Sequence, residues 1–238
     1  MLLTRGNPKI LKGEKKGYLT SILHLAPADL SGYQTCPKAT AGCKAACLNT
    51  AGRGGIFKKG ENTNVIQQAR IRKTRAFFED REQFMMDLYF EIKSTIKYAE
   101  KKGLIPVFRL NGTSDIGWEK IRVGQYRNMM EAFPNIQFYD YTKIAGRTVP
   151  ANYNLTFSAA DGNDHDVYRA IEAGYNVAAV FDKGLPEQYL GLPVINADDT
   201  DLRFLDPKGV IAGLKAKGKA KKDTSGFVKK FIPIALAA

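Results

Sequence analysis

The chain has 238 residues, and 44% of them are hydrophobic, which is enough apolar side chain for the buried core of one globular domain. It carries 36 lysine and arginine residues against 24 aspartate and glutamate residues, and the formal charge of +12 favours a polyanionic partner, nucleic acid ahead of an anionic membrane. Neither a signal peptide nor a membrane-spanning helix can be placed in the sequence, so we expect a soluble, cytoplasmic protein without a membrane partner.

Short strand-like runs alternate with longer helical patterns, which is typical of β/α units. We therefore predict an α/β fold, a partial β/α barrel with mostly parallel strands, as a single domain over residues 1–238. No repeat or change in composition marks a second domain. In chain order, strands are predicted at 18–25, 105–111, 136–142, 153–159, 177–181 and 194–197, and helices at 63–78, 80–102, 119–133 and 167–173.

All three cysteines follow the first predicted strand, within twelve residues, as Cys36, Cys43 and Cys47. A short helix would place Cys43 and Cys47 on one face, with Cys36 folding back over the loop. Three convergent thiolates suit a zinc ion, or an iron–sulfur cluster with one open iron, and the fourth ligand would be His24, a carboxylate or an external group. The alternatives are a disulfide, which the odd count disfavours, or three reduced thiols packed as small apolar groups.

Polar residues follow the later strands at their carboxyl ends, where parallel β/α folds carry their sites. The run from Asn111 to Asp115 offers an amide, two hydroxyls and a carboxylate, although Asp115 could equally cap a following helix. Asp161 occupies a similar position after the fourth strand. Two carboxylates facing one pocket could divide nucleophilic and acid–base roles, so Asp115 and Asp161 are the predicted catalytic residues.

A lysine-rich segment at about 213–230 follows the last predicted strand. Its glycine and lysine composition is typical of a mobile arm that follows a phosphate backbone, and a solvated surface loop is the alternative. No aromatic residues interleave the lysines, so this arm is not expected to read sequence. The predicted nucleic-acid-binding residues are Lys215, Lys217, Lys219, Lys221 and Lys222.

The cysteine loop and three later runs together resemble the bacteriophage gene product 88 family over about residues 18–165. The later runs are 108–116, 139–143 and 154–158. The layout of this family is similar to that of radical S-adenosylmethionine enzymes, partial β/α barrels whose first loop holds a [4Fe–4S] cluster. The resemblance implies a protein of the infected host's cytoplasm, with the three cysteines as cluster ligands. It also implies that Asn111, Ser114 and Asp115 lie near the cofactor. The predicted cofactor-binding residues are Asn111 and Ser114 together with two further strand-end residues, Arg109 and Ser158.

A second, looser resemblance is to phage enzymes that exchange guanine for a deazaguanine in DNA. These are similar to tRNA-guanine transglycosylases, β/α barrels that use two aspartates, one of them a nucleophile, beside a zinc site. The resemblance implies aspartate roles for Asp115 and Asp161, or for Asp182.

Three hypotheses follow for the function. The first is a radical S-adenosylmethionine-like metalloenzyme that acts on nucleic acid or a nucleotide and holds a 4Fe–4S cluster and S-adenosylmethionine. The second is a base-exchange enzyme with an aspartate nucleophile and structural cysteines. The third is a non-enzymatic nucleic-acid-binding protein stabilised by zinc. The sequence separates neither DNA from RNA as the partner nor one oligomeric state from another.

Overall fold

The computed structural model of the chain describes residues 1–6 and 8–230. Ten strands and six α-helices alternate along this part of the chain. The strands are β1 (Leu3–Thr4), β2 (Tyr18–Leu23), β3 (Ile105–Arg109), β4 (Gln137–Thr142), β5 (Tyr153–Ser158), β6 (Val177–Phe181), β7 (Gln188–Tyr189), β8 (Leu192–Asn196), β9 (Ile211–Lys215) and β10 (Val228–Lys229). The helices are α1 (Pro8–Glu14), α2 (Ala41–Ala45), α3 (Val65–Glu79), α4 (Arg81–Lys101), α5 (Met129–Ala132) and α6 (Asp164–Glu172).

The strands form one mostly parallel sheet in the order β1-β2-β3-β4-β5-β6-β9-β8-β7, and β10 pairs with β6. Among the strand pairs of the described residues, β1–β2 and β7–β8 are antiparallel and the others are parallel. The pairing of β5 with β6 ends where Ser158 pairs with Ala178. β10 pairs with the following residues of β6, with Val228 opposite Val180. The α/β prediction with mostly parallel strands is confirmed. The sheet is open within the described residues, so a closed barrel is not confirmed, and the single-domain and partial-barrel predictions remain predictions.

The main core lies between the sheet and the α3–α4 pair. On α4, Phe84, Leu88 and Ile92 recur every four residues and are buried against the sheet, because residues four apart share one helix face. Full burial of each such side chain stabilises the fold by about 1.5–3 kcal/mol. Asn64 and Asp80 cap the amino ends of α3 and α4 through their side chains. No helix of the described part of the chain is long and apolar enough to cross a membrane.

The helix predicted over 119–133 is wrong, since only the short α5 forms near its end. Gly124 has a φ of +51°, which glycine adopts without strain, and Val123 and Tyr126 form a bridge around this turn. Asn128 then starts α5 by accepting a hydrogen bond from the backbone N–H of Glu131 at 2.9 Å. Of the apolar residues of this stretch, Val123, Met129 and Met130 are buried in the main core, and the others are partly buried against it.

The prediction of a mobile lysine arm is also wrong at its start. Residues 211–215 form β9, whose first three residues are buried in the sheet between β6 and β8. A 3-10 helix follows over Gly218–Lys222, with Ala220 buried. The alternation of buried alanine with exposed lysine places the lysines on a structured surface instead of a flexible tail.

Candidate functional site

A cavity of about 330 Å³ opens at the carboxyl ends of the parallel strands. We call it the strand-end cavity. Most of the residues that the sequence predicted for a site line this cavity, and they lie at the carboxyl ends of four strands, β2, β3, β5 and β9, or in the loops that follow these strands. These are Cys36, Cys43, Cys47, Arg109, Asn111, Ser114, Asp115, Ser158, Lys215 and Lys217. Asp161, Lys219, Lys221 and Lys222 are not among the lining residues.

The cysteine segment reaches the cavity through α2 and the turn after it. Thr40 caps α2, accepting a hydrogen bond from the backbone N–H of Cys43 at 3.1 Å. The helix ends at Ala45, and Cys47 instead caps the following 3-10 turn, where its sulfur accepts from the N–H of Asn49 at 3.5 Å. The prediction that Cys43 and Cys47 share one helix face is therefore wrong.

The predicted metal centre is wrong. Although the three cysteines line one cavity as free thiols, no group of three histidine, cysteine, aspartate or glutamate side chains within residues 1–6 and 8–230 is placed to hold a metal ion. Cys36 is held apart by local contacts, since its sulfur accepts from the N–H of Ala28 at 3.3 Å and lies 3.8 Å from the carbonyl oxygen of Thr113. The residues thus fit neither the 4Fe–4S cluster nor the alternative zinc ion. The S-adenosylmethionine prediction depended on the cluster and is wrong with it.

The thiols have a different electrostatic setting from metal-bound thiolates. Burial raises the pKa of Cys36 and of Cys47 above the ordinary thiol value, and the hydrogen bonds that their sulfurs accept only partly oppose this. Both are consequently protonated at neutral pH. In this state they act as small, weakly polar lining groups.

Asn111 builds the loop after β3. Its side-chain oxygen accepts hydrogen bonds from Ser114 Oγ at 2.9 Å, the N–H of Ile116 at 2.9 Å and Trp118 Nε1 at 3.0 Å, while its amide nitrogen donates to the carbonyl oxygen of Ile116 at 2.9 Å. These contacts use both ends of the amide within the loop. Asn111 and Ser114 therefore shape the cavity wall, and their polar atoms are engaged with the protein.

Asp115 is the buried acid of the site, with 8% of its surface exposed. It caps no helix, since its carboxylate crosses to the loop after β4, accepting from the Thr142 hydroxyl at 2.8 Å and the Lys143 N–H at 2.7 Å. Arg147 Nη1 lies 3.5 Å from the same carboxylate. Burial nevertheless raises the pKa of Asp115 above the ordinary value, because these donors and charges only partly offset the cost of desolvation.

Asp161 is placed differently from Asp115. Its carboxylate accepts from the hydroxyl of Thr40 and, at 3.0 Å, from the N–H of Gly42. Burial acts to raise its pKa, but these hydrogen bonds outweigh it and hold the pKa below the ordinary value. Asp161 thus supports the start of α2, and its pairing with Asp115 in base exchange remains a prediction.

Sequence reasoning missed the partners of Arg109. Arg109 Nη1 lies 2.9 Å from Asp201, which follows β8, and its Nε lies 3.8 Å from the buried Asp140 of β4. Burial alone would lower the pKa of Arg109, but the neighbouring carboxylates raise it above the ordinary value. The segment carrying Asp201 reaches this position because the Phe204 ring packs 5.5 Å from the rings of both Tyr18 and Tyr139.

Three lysines, Lys143, Lys215 and Lys217, line the cavity. Lys217 forms an ion pair with Asp198, and Lys143 lies over the ring of Phe227, 6.0 Å from its centroid. Within the described residues, neither Lys143 nor Lys215 has a side-chain ion pair. Tyr141 belongs to the run 139–143 that follows the third predicted strand, whereas Asp198 and Phe227 are lining residues that the sequence did not indicate. The polar run Asn196–Asp201 after β8 was the available signal for Asp198.

A comparison with protein families matches residues 1–230 to the family described as Gene product 88. No curated protein and no solved structure matches the chain.

Proposed function

The chain belongs to the gene product 88 family, and we propose that it is an enzyme acting on a nucleotide unit of a nucleic acid, with Asp115 as the acid–base residue. The observation that carries this proposal is the strand-end cavity itself, where a buried carboxylic acid and lysines without ion pairs among the described residues border one space. Its volume of about 330 Å³ lies within the common range for small-molecule sites.

Asp115 suits proton transfer. A carboxyl group whose pKa is raised by burial keeps its proton nearer to neutral pH, so that it can donate the proton to a ring nitrogen or oxygen and take it back. The Thr142 hydroxyl and the Lys143 N–H fix the orientation of this carboxyl group through its two oxygens. The acid is therefore preorganised at the cavity wall.

The positive groups divide into two sets. Arg109 is committed to Asp201 and Asp140, which places its charge in the wall of the cavity. Lys143 and Lys215 also line the cavity and, in the part of the chain that is described, neither forms an ion pair. Lysine ammonium groups bind phosphate as compact charges, so we assign the phosphate of the nucleotide to this second set.

The test is the nucleoside content of cells that express the full chain. DNA and RNA are isolated separately, hydrolysed to nucleosides and analysed by liquid chromatography and mass spectrometry. We expect an altered nucleoside in one polymer with the wild-type protein, and its loss with Asp115→Asn. Asp87→Asn is the matched control, since Asp87 is exposed on α4 away from the cavity lining.

Two outcomes would contradict the proposal. An altered nucleoside that persists with Asp115→Asn removes the acid–base role. If no nucleoside changes while the purified protein still binds oligonucleotides, the protein is a non-enzymatic binding protein.

A further inference from the structure

Two segments far apart in the sequence meet beside the strand-end cavity. A Cβ atom built on Gly218 would lie 3.6 Å from the Cα and Cβ atoms of Ala51 and 3.7 Å from the carbonyl oxygen of Thr50. Leu48 from the first segment and Lys217 from the second line the cavity. We call residues 48–60 and 217–222 together the basic rim.

The basic rim carries exposed cations from both segments. The first segment contributes three and the second contributes three more that are not in the cavity lining: Arg53, Lys58, Lys59, Lys219, Lys221 and Lys222. None of these six forms an ion pair within residues 1–6 and 8–230. Neither segment contains an acidic residue, although Glu61 and Asp223 directly follow them. Such a one-signed surface attracts a polyanion along its length.

Apolar side chains are exposed among these cations. Leu48, Ile56 and Phe57 are 57%, 68% and 38% exposed, and all three belong to the first segment. Cations alone could bind the phosphates of any nucleic acid. Exposed apolar and aromatic side chains, in contrast, can contact the faces of bases only where the bases are not paired and stacked in a duplex. The combination is typical of surfaces that bind single strands.

We propose that the basic rim binds single-stranded nucleic acid and leads one nucleotide of the strand into the cavity. The cations contact phosphates, and Phe57 and its apolar neighbours contact unpaired bases. This inference rests on the proposed function, since a nucleotide must enter the cavity. A single strand delivers it without the cost of opening a base pair, which a duplex would have to meet.

The experiment measures binding of the full chain to three fluorescein-labelled probes by fluorescence anisotropy over a range of salt. The probes are a 20-nucleotide single-stranded DNA, the RNA of the same sequence and the DNA duplex. The test variant is the triple Arg53→Gln, Lys58→Gln and Lys59→Gln. Its control is the triple Lys93→Gln, Lys97→Gln and Lys101→Gln, which removes the same charge from the exposed face of α4.

We expect the wild-type protein to bind a single strand more tightly than the duplex. The single strand that binds more tightly identifies DNA or RNA as the partner. The rim triple should weaken single-strand binding about tenfold or more and reduce the salt slope of log K by about 2, because each phosphate that a cation neutralises on a single strand adds about 0.7 to this slope. The α4 triple should change the affinity less than twofold. Phe57→Ala should weaken single-strand binding about fivefold and leave duplex binding unchanged.

The inference is overturned if the two triples weaken binding equally or if the duplex binds more tightly than both single strands. In those cases wild-type binding and the Asp115 dependence of the nucleoside assay still stand, so the proposed function survives. If none of the three probes binds to the wild-type protein, the inference and the proposed function fail together.

Discussion

Replacing His24 by glutamine should remove a large pH dependence of stability. His24 follows β2 and is largely buried, and desolvation together with the nearby charges of Arg70, Arg109 and Lys73 lowers its pKa to about 3 from 6.5. Asp201 opposes this shift only in part. The folded protein therefore holds His24 neutral at a pH where the unfolded chain already takes up a proton.

The sign and magnitude follow from this difference. Below pH 6.5 the unfolded state binds the additional proton, so the free energy of unfolding falls as the pH falls, and the loss is complete only near pH 3. At about 1.4 kcal/mol per pH unit, lowering the pH from about 7.5 to about 5 costs the wild-type protein about 2 kcal/mol through His24 alone. The His24→Gln variant lacks this term.

The measurement is urea unfolding of both proteins, followed by far-ultraviolet circular dichroism at pH 7.5, 6.5 and 5. Taking the difference between wild type and variant cancels the groups that they share, including Asp140. The exposed His165 provides the matched control as His165→Gln. The stability difference between wild type and His24→Gln should shift by about 2 kcal/mol across this range. A constant difference would refute the burial of a neutral His24.

Three other substitutions test the site and its supports. Burial raises the pKa of Asp140 to about 7, so the contribution of Asp140 to stability falls as the pH rises from about 4 to about 7, opposite in sign to that of His24. The stability of wild type relative to Asp140→Asn should therefore fall as the pH rises in the same urea series, and a constant difference would contradict it. Gly112→Ala would place a Cβ atom 2.6 Å from Ile22 Cγ2 and 2.7 Å from the Leu23 carbonyl oxygen. We therefore expect the free energy of unfolding to fall by about 1–3 kcal/mol, and a urea midpoint equal to that of wild type would count against this packing. Asp161→Asn should lower the free energy of unfolding by about 1 kcal/mol, because it weakens the hydrogen bonds at the start of α2. The melting temperature should fall by about 2–4 °C, and an unchanged melting temperature would argue that Asp161 does not support this helix.

Much of the sheet could be predicted because its strands are defined by local patterns. The β-branched and aromatic runs at β2, β4, β5 and β6 match the predicted strands closely. The helix predicted over 80–102 matches α4, on which Phe84, Leu88 and Ile92 recur every four residues. The prediction of a helix over 119–133 failed because a buried loop can be as apolar as a helix. The positive φ of Gly124 turns the chain there, and the helical pattern gives no sign of this turn. β9 was missed because its short apolar run leads directly into lysines.

The candidate site divides in the same way. The sequence by itself determined which polar residues follow the strands, and parallel pairing brings such strand ends to one edge of a sheet, so Asn111, Asp115 and Ser158 meet at one cavity. Spacing along the chain did not determine separation in space. α2 ends at Ala45, and the thiols line a common cavity without forming a metal-binding group in the described part of the chain.

Only the tertiary structure decided the partners of the site. The sheet order β6-β9-β8 and the packing of Phe204 bring Asp201 to Arg109, 92 residues away in the sequence. The contact of Gly218 with Thr50 and Ala51 likewise joins the two halves of the basic rim. Local sequence patterns record which side chains are buried, whereas the distance between two loops depends on how distant strands pair, and no local pattern contains that information.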